Sequence, residues 1–162
     1  MRIDEKIQAA IMLFLLAIGV LTVAPVIFGD RVVEPFSELG ILGPGMMLGD
    51  YPNQVISGER VDLFLYLGNH EGRIMYYQVD VRLGDQSINV SDTQPYPGQI
   101  LTSYKRVLLD EANITVPIWF NINESGENRR VVFELYKYHS DTRDFRYDGN
   151  WVQLWVNVTE TG

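Results

Sequence analysis

The chain contains no cysteine. That absence excludes disulfides, thiolate metal sites and cysteine nucleophiles together. Small secreted domains often lean on disulfides, so this one must hold itself together by burial and hydrogen bonding alone. Histidine is nearly as scarce, with His70 and His139 the full set. Imidazole by itself therefore cannot supply the three or four converging ligands that a metal site needs. Positive charge is in deficit as well: 13 Lys and Arg against 21 Asp and Glu give a net charge of -8. Arg2, Lys6, Asp4 and Glu5 cancel within residues 1–7, so the whole negative balance belongs to the rest of the chain. An acidic domain is repelled by nucleic acid and by anionic lipid headgroups, which argues against both as partners. The Gly-x-Ser-x-Gly, phosphate-loop and dinucleotide patterns are missing, and there is no repeat or low-complexity tract. Nothing here calls for a catalytic residue, a metal or a cofactor.

What is present starts with one long apolar run. Gln8 to Gly29 holds no charged residue, and Asp30 and Arg31 end it. A stretch of about 20 apolar residues at ~1.5 Å each matches the roughly 30 Å hydrocarbon core of a bilayer. The basic groups before it, Arg2 and Lys6, outweigh the single Arg31 close behind, which predicts a cytoplasmic N-terminus. Thr22-Val23-Ala24 offers a signal-peptidase site, but Pro25 follows it directly and the apolar run continues. The run therefore reads as an uncleaved signal anchor whose last turn Pro25 kinks or frays.

Downstream lie four N-glycosylation sequons, at Asn89, Asn113, Asn123 and Asn157. Chance alone predicts about one in a chain of this length. The excess places everything after the apolar run outside the cytoplasm. Glycan acceptors without cysteine suit an archaeal surface protein better than a eukaryotic ectodomain.

The expected organisation is a cytoplasmic segment 1–7, a transmembrane anchor 8–29, a tether and lead-in segment 30–50, and a β-domain 51–162. Pro35, Gly40, Gly43, Pro44, Gly45 and Gly49 keep any long helix out of the tether. The tether is short, so the domain is expected to stand close to the membrane. From there the apolar pattern has period two. Val61 to Leu67, Met75 to Leu83, Leu101 to Leu109, Asn113 to Ile122, Arg129 to Tyr138 and Trp151 to Val158 read as strands, with a short one at 87–90. Pro117 assigns its strand to an edge or a bulge, and His139 to Asn150 reads as a charged loop. About seven strands at this spacing predict an all-β, immunoglobulin-like or fibronectin-type β-sandwich.

Several residue clusters resemble an archaeal membrane-anchored family known as domain of unknown function 1616. They are Phe36-Ser37-Glu38-Leu39-Gly40-Ile41-Leu42-Gly43, Tyr51-Pro52, Gly58-Glu59, Gly68-Asn69-His70-Glu71 with Tyr76 and Tyr77, Glu134-Leu135-Tyr136-Lys137, and Leu154-Trp155-Val156-Asn157-Val158. The resemblance implies an archaeal extracytoplasmic β-domain, with no known activity and no known catalytic residues. Many members resemble a fusion to a multi-span membrane region, which this chain lacks.

Three clusters are candidates for chemistry or contact. Asn69-His70-Glu71 offers either metal ligands or a base with its orienter, and equally a tight turn stabilised by Asn69. Asp141, Asp144, Asp148 and Asn150 have a faint calcium pattern but lack its loop glycine and terminal Glu, and Arg143 and Arg146 make an ion-paired loop the better reading. Tyr136, Tyr138, Trp151 and Trp155 either share an outward surface that stacks on a sugar or a partner protein, or pack under loops. The functional expectation is a non-catalytic, glycosylated, single-pass surface protein. Its domain would be an interaction or structural module, or an accessory subunit of an envelope complex with protein partners. A pilin-like filament subunit is the first alternative, though Lys6-Ile7-Gln8 lacks the small residue before a prepilin cut. A carbohydrate-binding domain is the second.

Overall fold

The computed structural model describes residues 5–28 and 34–160, with side chains described for 7–20 and 34–160. The described residues form one helix, α1 (Glu5–Phe28), and eight strands: β1 (Phe36–Leu42), β2 (Gln54–Ile56), β3 (Arg60–His70), β4 (Met75–Gly84), β5 (Gln99–Leu108), β6 (Asn113–Asn121), β7 (Gly126–His139) and β8 (Asp144–Thr159). It divides into two compact units, residues 1–34 and 35–162.

The first unit is the helix. α1 continues past Pro25 to Phe28. Ile11, Met12, Leu13, Phe14, Leu15 and Leu16 are all exposed on it. Consecutive apolar positions point to every side of a helix, so α1 has no single apolar stripe. Among the described residues no helix is long and apolar enough to cross a membrane. The anchor expected at residues 8–29 lies partly outside the described residues.

The second unit is a two-sheet sandwich. A three-stranded sheet runs β1-β3-β6 and a five-stranded sheet runs β2-β8-β7-β4-β5. The chain first pairs β1 antiparallel with β3, then switches sheets to lay β2 parallel to β8. Strands from both sheets alternate inward and outward residues, as immunoglobulin-like packing requires. Leu63, Leu65 and Leu67 of β3, Tyr77, Val79 and Val81 of β4, Ile118 and Phe120 of β6, Val131, Phe133 and Leu135 of β7, and Val156 of β8 fill the core at 2 % exposure or less. An antibody domain joins its two sheets here with a disulfide. This chain uses close aromatic packing, with Phe120 and Phe133 in an edge-on contact at 5.9 Å.

The structure corrects the sequence reading at four places. Phe36–Leu42 is a sheet strand and part of the domain, so the tether does not extend to residue 50. Residues 87–90 form no strand. The charged segment His139 to Asn150 is not a loop. β7 and β8 continue into it, paired as Tyr136 with Tyr147 and His139 with Asp144, leaving only residues 140–143 as a turn. Phe145 and Tyr147 hold one face of that extension, and its charges obscure the alternation. Finally, β2 is a separate short strand before the Gly58 turn. Pro117 falls on β6, an edge strand, where its missing N–H costs no ladder bond.

Two ends of the sandwich follow from this register. The near pole holds the start of β1 and β4, the end of β3 and β5, and the β7–β8 turn. The far pole holds β2, the start of β3 and β7, and the end of β6 and β8.

Candidate functional site

Asn69-His70-Glu71 ends β3 at the near pole, and the three side chains go three ways. Asn69 is fully buried. Its Nδ2 donates to the carbonyls of Arg73, Leu108 and Leu109 at 2.8, 3.1 and 2.9 Å. Its Oδ1 accepts the Glu71 N–H and the Tyr77 hydroxyl, both at 3.1 Å. Asn69 thus supports the tight bend and also closes the end of the core. His70 points outward, stacks on Phe36 at 4.6 Å and meets Glu111 through Nδ1 at 2.9 Å. That hydrogen bond to Glu111 is the largest cause of a raised His70 pKa.

Glu71 turns inward into a polar cluster. Its Oε1 lies 2.5 Å from Lys137 Nζ and accepts the Ser37 hydroxyl at 2.7 Å. Asp148 holds the same ammonium at 2.5 Å. Asn150 donates to Asp148 at 2.7 Å and to the Ser37 carbonyl at 3.2 Å. Burial pushes the Glu71 carboxyl up, but the hydrogen bonds from Lys137 and Ser37 outweigh it and leave the pKa lowered. Burial likewise pushes the Tyr77 hydroxyl up to about 12. The calcium-like acids are therefore divided: Asp148 and Asn150 face this cluster, while Asp144 takes a hydrogen bond from Thr142 and pairs with Arg146 at 3.4 Å. Among the described residues no three His, Cys, Asp or Glu side chains gather as metal ligands.

The aromatic set does not form one surface. Trp151 and Trp155 are exposed on the outer face of β8, and Arg130 covers the Trp155 ring at 4.4 Å. Tyr138 packs against Tyr76 and Phe145 at 5.7 and 5.3 Å. Tyr136 is buried at 7 % exposure, contrary to the outward placement. The reason is the segment 85–98 between β4 and β5, which folds back over the outer face of the five-stranded sheet. Tyr147 donates to the Ser91 carbonyl at 2.6 Å and Arg130 to the Ile88 carbonyl at 2.6 Å. Gly149, at φ 85° on β8, has the Asp92 carbonyl where a Cβ would sit, 2.6 Å away. Only glycine satisfies both the left-handed backbone and that close approach.

Beneath this segment lies a second polar cluster that the sequence did not reveal. Asp80, Arg82, Glu134 and Tyr136 stand on adjacent strands, with Asp80 directly opposite Glu134. Glu134 is fully buried and Asp80 is 3 % exposed. Arg82 Nη2 donates to Asp80 at 3.2 Å and to the Tyr136 hydroxyl at 3.1 Å. Arg82 Nε lies 3.0 Å from Glu134 Oε2, at ion-pair distance but off the line of a hydrogen bond. Glu134 accepts the Tyr96 N–H at 2.5 Å. Burial raises the Glu134 pKa, and the Tyr96, Tyr136 and Arg82 interactions do not offset it. The available signal in the sequence was the run of alternate polar residues Gln78, Asp80 and Arg82 on a strand whose other face is wholly apolar.

The sequons are distributed unevenly. Asn89 is exposed in the covering segment and Asn123 is exposed just after β6. Asn157 is half-buried on β8, where its Oδ1 accepts the Asn128 N–H at 2.8 Å. Asn113 is exposed at the start of β6 and alone belongs to the near pole.

A family model described as a domain of unknown function, DUF1616, matches residues 31–157. The chain belongs to that family. The match runs from before β1 to within two residues of the end of β8. No curated protein matches the chain. Among solved structures, the CARDB domain of the PF1109 protein from Pyrococcus furiosus, in complex with di-metal ions, is similar at 12% identity and TM-score 0.47, over 80% of this chain and 95% of that one. Spo0M, a sporulation control protein from Bacillus subtilis, is similar at 10% identity and TM-score 0.44, over 78% and 50%. A β-glucosidase from Listeria innocua in complex with glucose is similar at 14% identity and TM-score 0.44, over 76% of this chain but 16% of that one. Likenesses this remote say nothing of what the DUF1616 domain binds.

Proposed function

We propose that this chain is a non-catalytic, single-pass surface protein whose DUF1616 sandwich is an interaction or structural module, an accessory subunit of an envelope complex. One observation carries the reading. The two clusters of acids around a cation are engaged within the domain, while large apolar side chains are left outside. Glu71, Lys137 and Asp148 hold one another, as do Asp80, Arg82 and Glu134. By contrast Met46, Met47 and Leu48 are 54, 64 and 83 % exposed on the loop after β1. Flexible methionines on a projecting loop suit a protein contact.

The anchor reading is supported by the uncharged run Gln8 to Gly29 and by the continuous helix Glu5–Phe28. The extracytoplasmic, glycosylated reading is supported by the sequon excess and by the exposure of Asn89, Asn113 and Asn123. An archaeal source is consistent with sequons in a cysteine-free chain.

A native pull-down from membranes, with intact-mass analysis of the recovered chain, tests the proposal. A full N-terminus, hexose-scale additions and a constant set of co-purifying proteins are expected. Loss of about the first six residues with self-association alone would replace it with the filament reading.

A further inference from the structure

The near pole carries a group of apolar side chains that the sandwich leaves uncovered. Ile74 is 62 % exposed, Val107 63 % and Leu109 63 %. The pairing of Met75 with Leu108 sets Ile74 and Leu109 at the same end of adjacent strands. Ile74 and Val107 line one cleft of about 350 Å³ with Arg73, Tyr76 and Tyr138, and with His139, Ser140 and Asp141 of the β7–β8 turn. Exposed aliphatics rimmed by tyrosine and arginine match the side-chain set found at a membrane–water boundary.

We propose that this pole is a lipid-contact surface, with Ile74, Val107 and Leu109 seated in the headgroup region of the bilayer that holds α1. The proposal rests on the anchor reading above and adds which face of the domain meets the membrane. Chain order is the first reason. β1 begins at this pole, and only residues 29–35 separate α1 from it. A stretch that short reaches roughly 25 Å even when fully extended. The second reason is the sequon distribution. Asn123 and Asn157 belong to the far pole, and Asn89 lies on the segment that leaves β4 there. Glycans at these three positions would project away from the bilayer, and Asn113 is the one sequon that stands at this pole. The third concerns charge. The domain is acidic overall, and at this pole Glu111 meets His70, Glu71 meets Lys137 and Asp110 accepts the Gly72 N–H, while Asp141 of the β7–β8 turn is exposed. Seating therefore depends on apolar insertion and not on attraction to anionic headgroups, so it survives high salt.

The absence of cysteine makes the test direct. Single-cysteine variants of the full chain, Leu109→Cys, Val107→Cys, Leu48→Cys and Leu15→Cys, are labelled with a small fluorophore. They are then reconstituted in phosphatidylcholine vesicles containing a headgroup nitroxide lipid quencher, and the Leu15 variant in vesicles containing an acyl-chain nitroxide lipid, because position 15 lies near the middle of the ~30 Å hydrocarbon core. All four positions are exposed, so folding is expected to survive, and circular dichroism checks it. Quenching at positions 107 and 109 several-fold above that at position 48, unchanged in 0.5 M salt (about a 4 Å screening length), is the expected result. Quenching at 15 but no more at 107 and 109 than at 48 leaves the anchor standing and overturns the lipid contact, giving the patch to a protein partner. No quenching at 15 overturns the anchor reading and the proposal with it. Glycopeptide mapping of native protein gives a second readout: full occupancy of Asn113 would hold this pole off the bilayer and overturn the proposal.

Discussion

Two polar clusters occupy opposite faces of the five-stranded sheet, and each sets one cation among two carboxylates. At the near pole Lys137 lies 2.5 Å from both Glu71 and Asp148, whose side chains keep 11 and 12 % of their exposure. On the outer face Arg82 serves Asp80 and Glu134, with Glu134 fully enclosed. The carboxyl groups respond in opposite directions. Glu71 is shifted down and Glu134 is shifted up from the same ordinary value of 4.5. Equal counts of charge thus give opposite outcomes, because the covering segment 85–98 removes water from one cluster and not wholly from the other. Desolvation disfavours the charged form, and only close, well-directed donors offset it.

Arg82→Ala is the strongest way to break the comparison. It leaves two nearly dry carboxylates without a cation, and a loss of about 3–5 kcal/mol in urea unfolding is expected. The triple replacement Asp80→Asn, Arg82→Met, Glu134→Gln should recover most of it, since the penalty lies in the uncompensated charge. Lys137→Ala should cost less, about 1–3 kcal/mol, because water reaches Glu71 and Asp148. An equal loss in the two variants would show that enclosure does not distinguish the clusters.

The pH dependence sharpens the same contrast. Glu71 has a lowered pKa, so its folded state holds the proton less tightly than its unfolded state. The stability it contributes is present above 4.5 and is lost as pH falls through the folded value. Glu134 has a raised pKa, so its contribution is greatest at and below 4.5 and declines as pH rises toward the folded value. Urea midpoints measured against pH should therefore lose part of their acid-side slope in Glu71→Gln. In Glu134→Gln the decline above 4.5 should disappear. Slopes that change in the same direction would refute the assignment.

Tyr147→Phe is the smallest perturbation. It removes the hydrogen bond that holds Ser91 and should cost ~1 kcal/mol or less. Its signature is local: amide exchange accelerates across residues 85–98 while β3 and β6 are unaffected. Exchange that speeds up equally in both sheets would mean the segment is integral to the sandwich and not a cover laid on it.

Much of the sandwich was legible because alternation reports a half-buried strand wherever one face is polar. Val61, Leu63, Leu65 and Leu67 turned out as read, as did Val131, Phe133 and Leu135. β1 was missed because Gly40 and the following Gly43, Pro44 and Gly45 look like a connector, and nothing local announces pairing with β3 twenty-two or more residues on. The outer surface was half legible. Trp151 and Trp155 face out as their alternation implies. Tyr136 obeys the same parity and is buried, because the segment over it is remote in sequence.

The sequence by itself determined the inner faces of the strands, the apolar helix and the cysteine-free way of holding the sheets together, since each follows from local pattern or composition. Only the tertiary structure decided where the covering segment lies, which carboxylates lose their water, and which sequons share a pole with exposed Ile74, Val107 and Leu109. Those properties depend on what a non-local neighbour displaces, and solvent exclusion leaves no periodic trace in the residues it acts on.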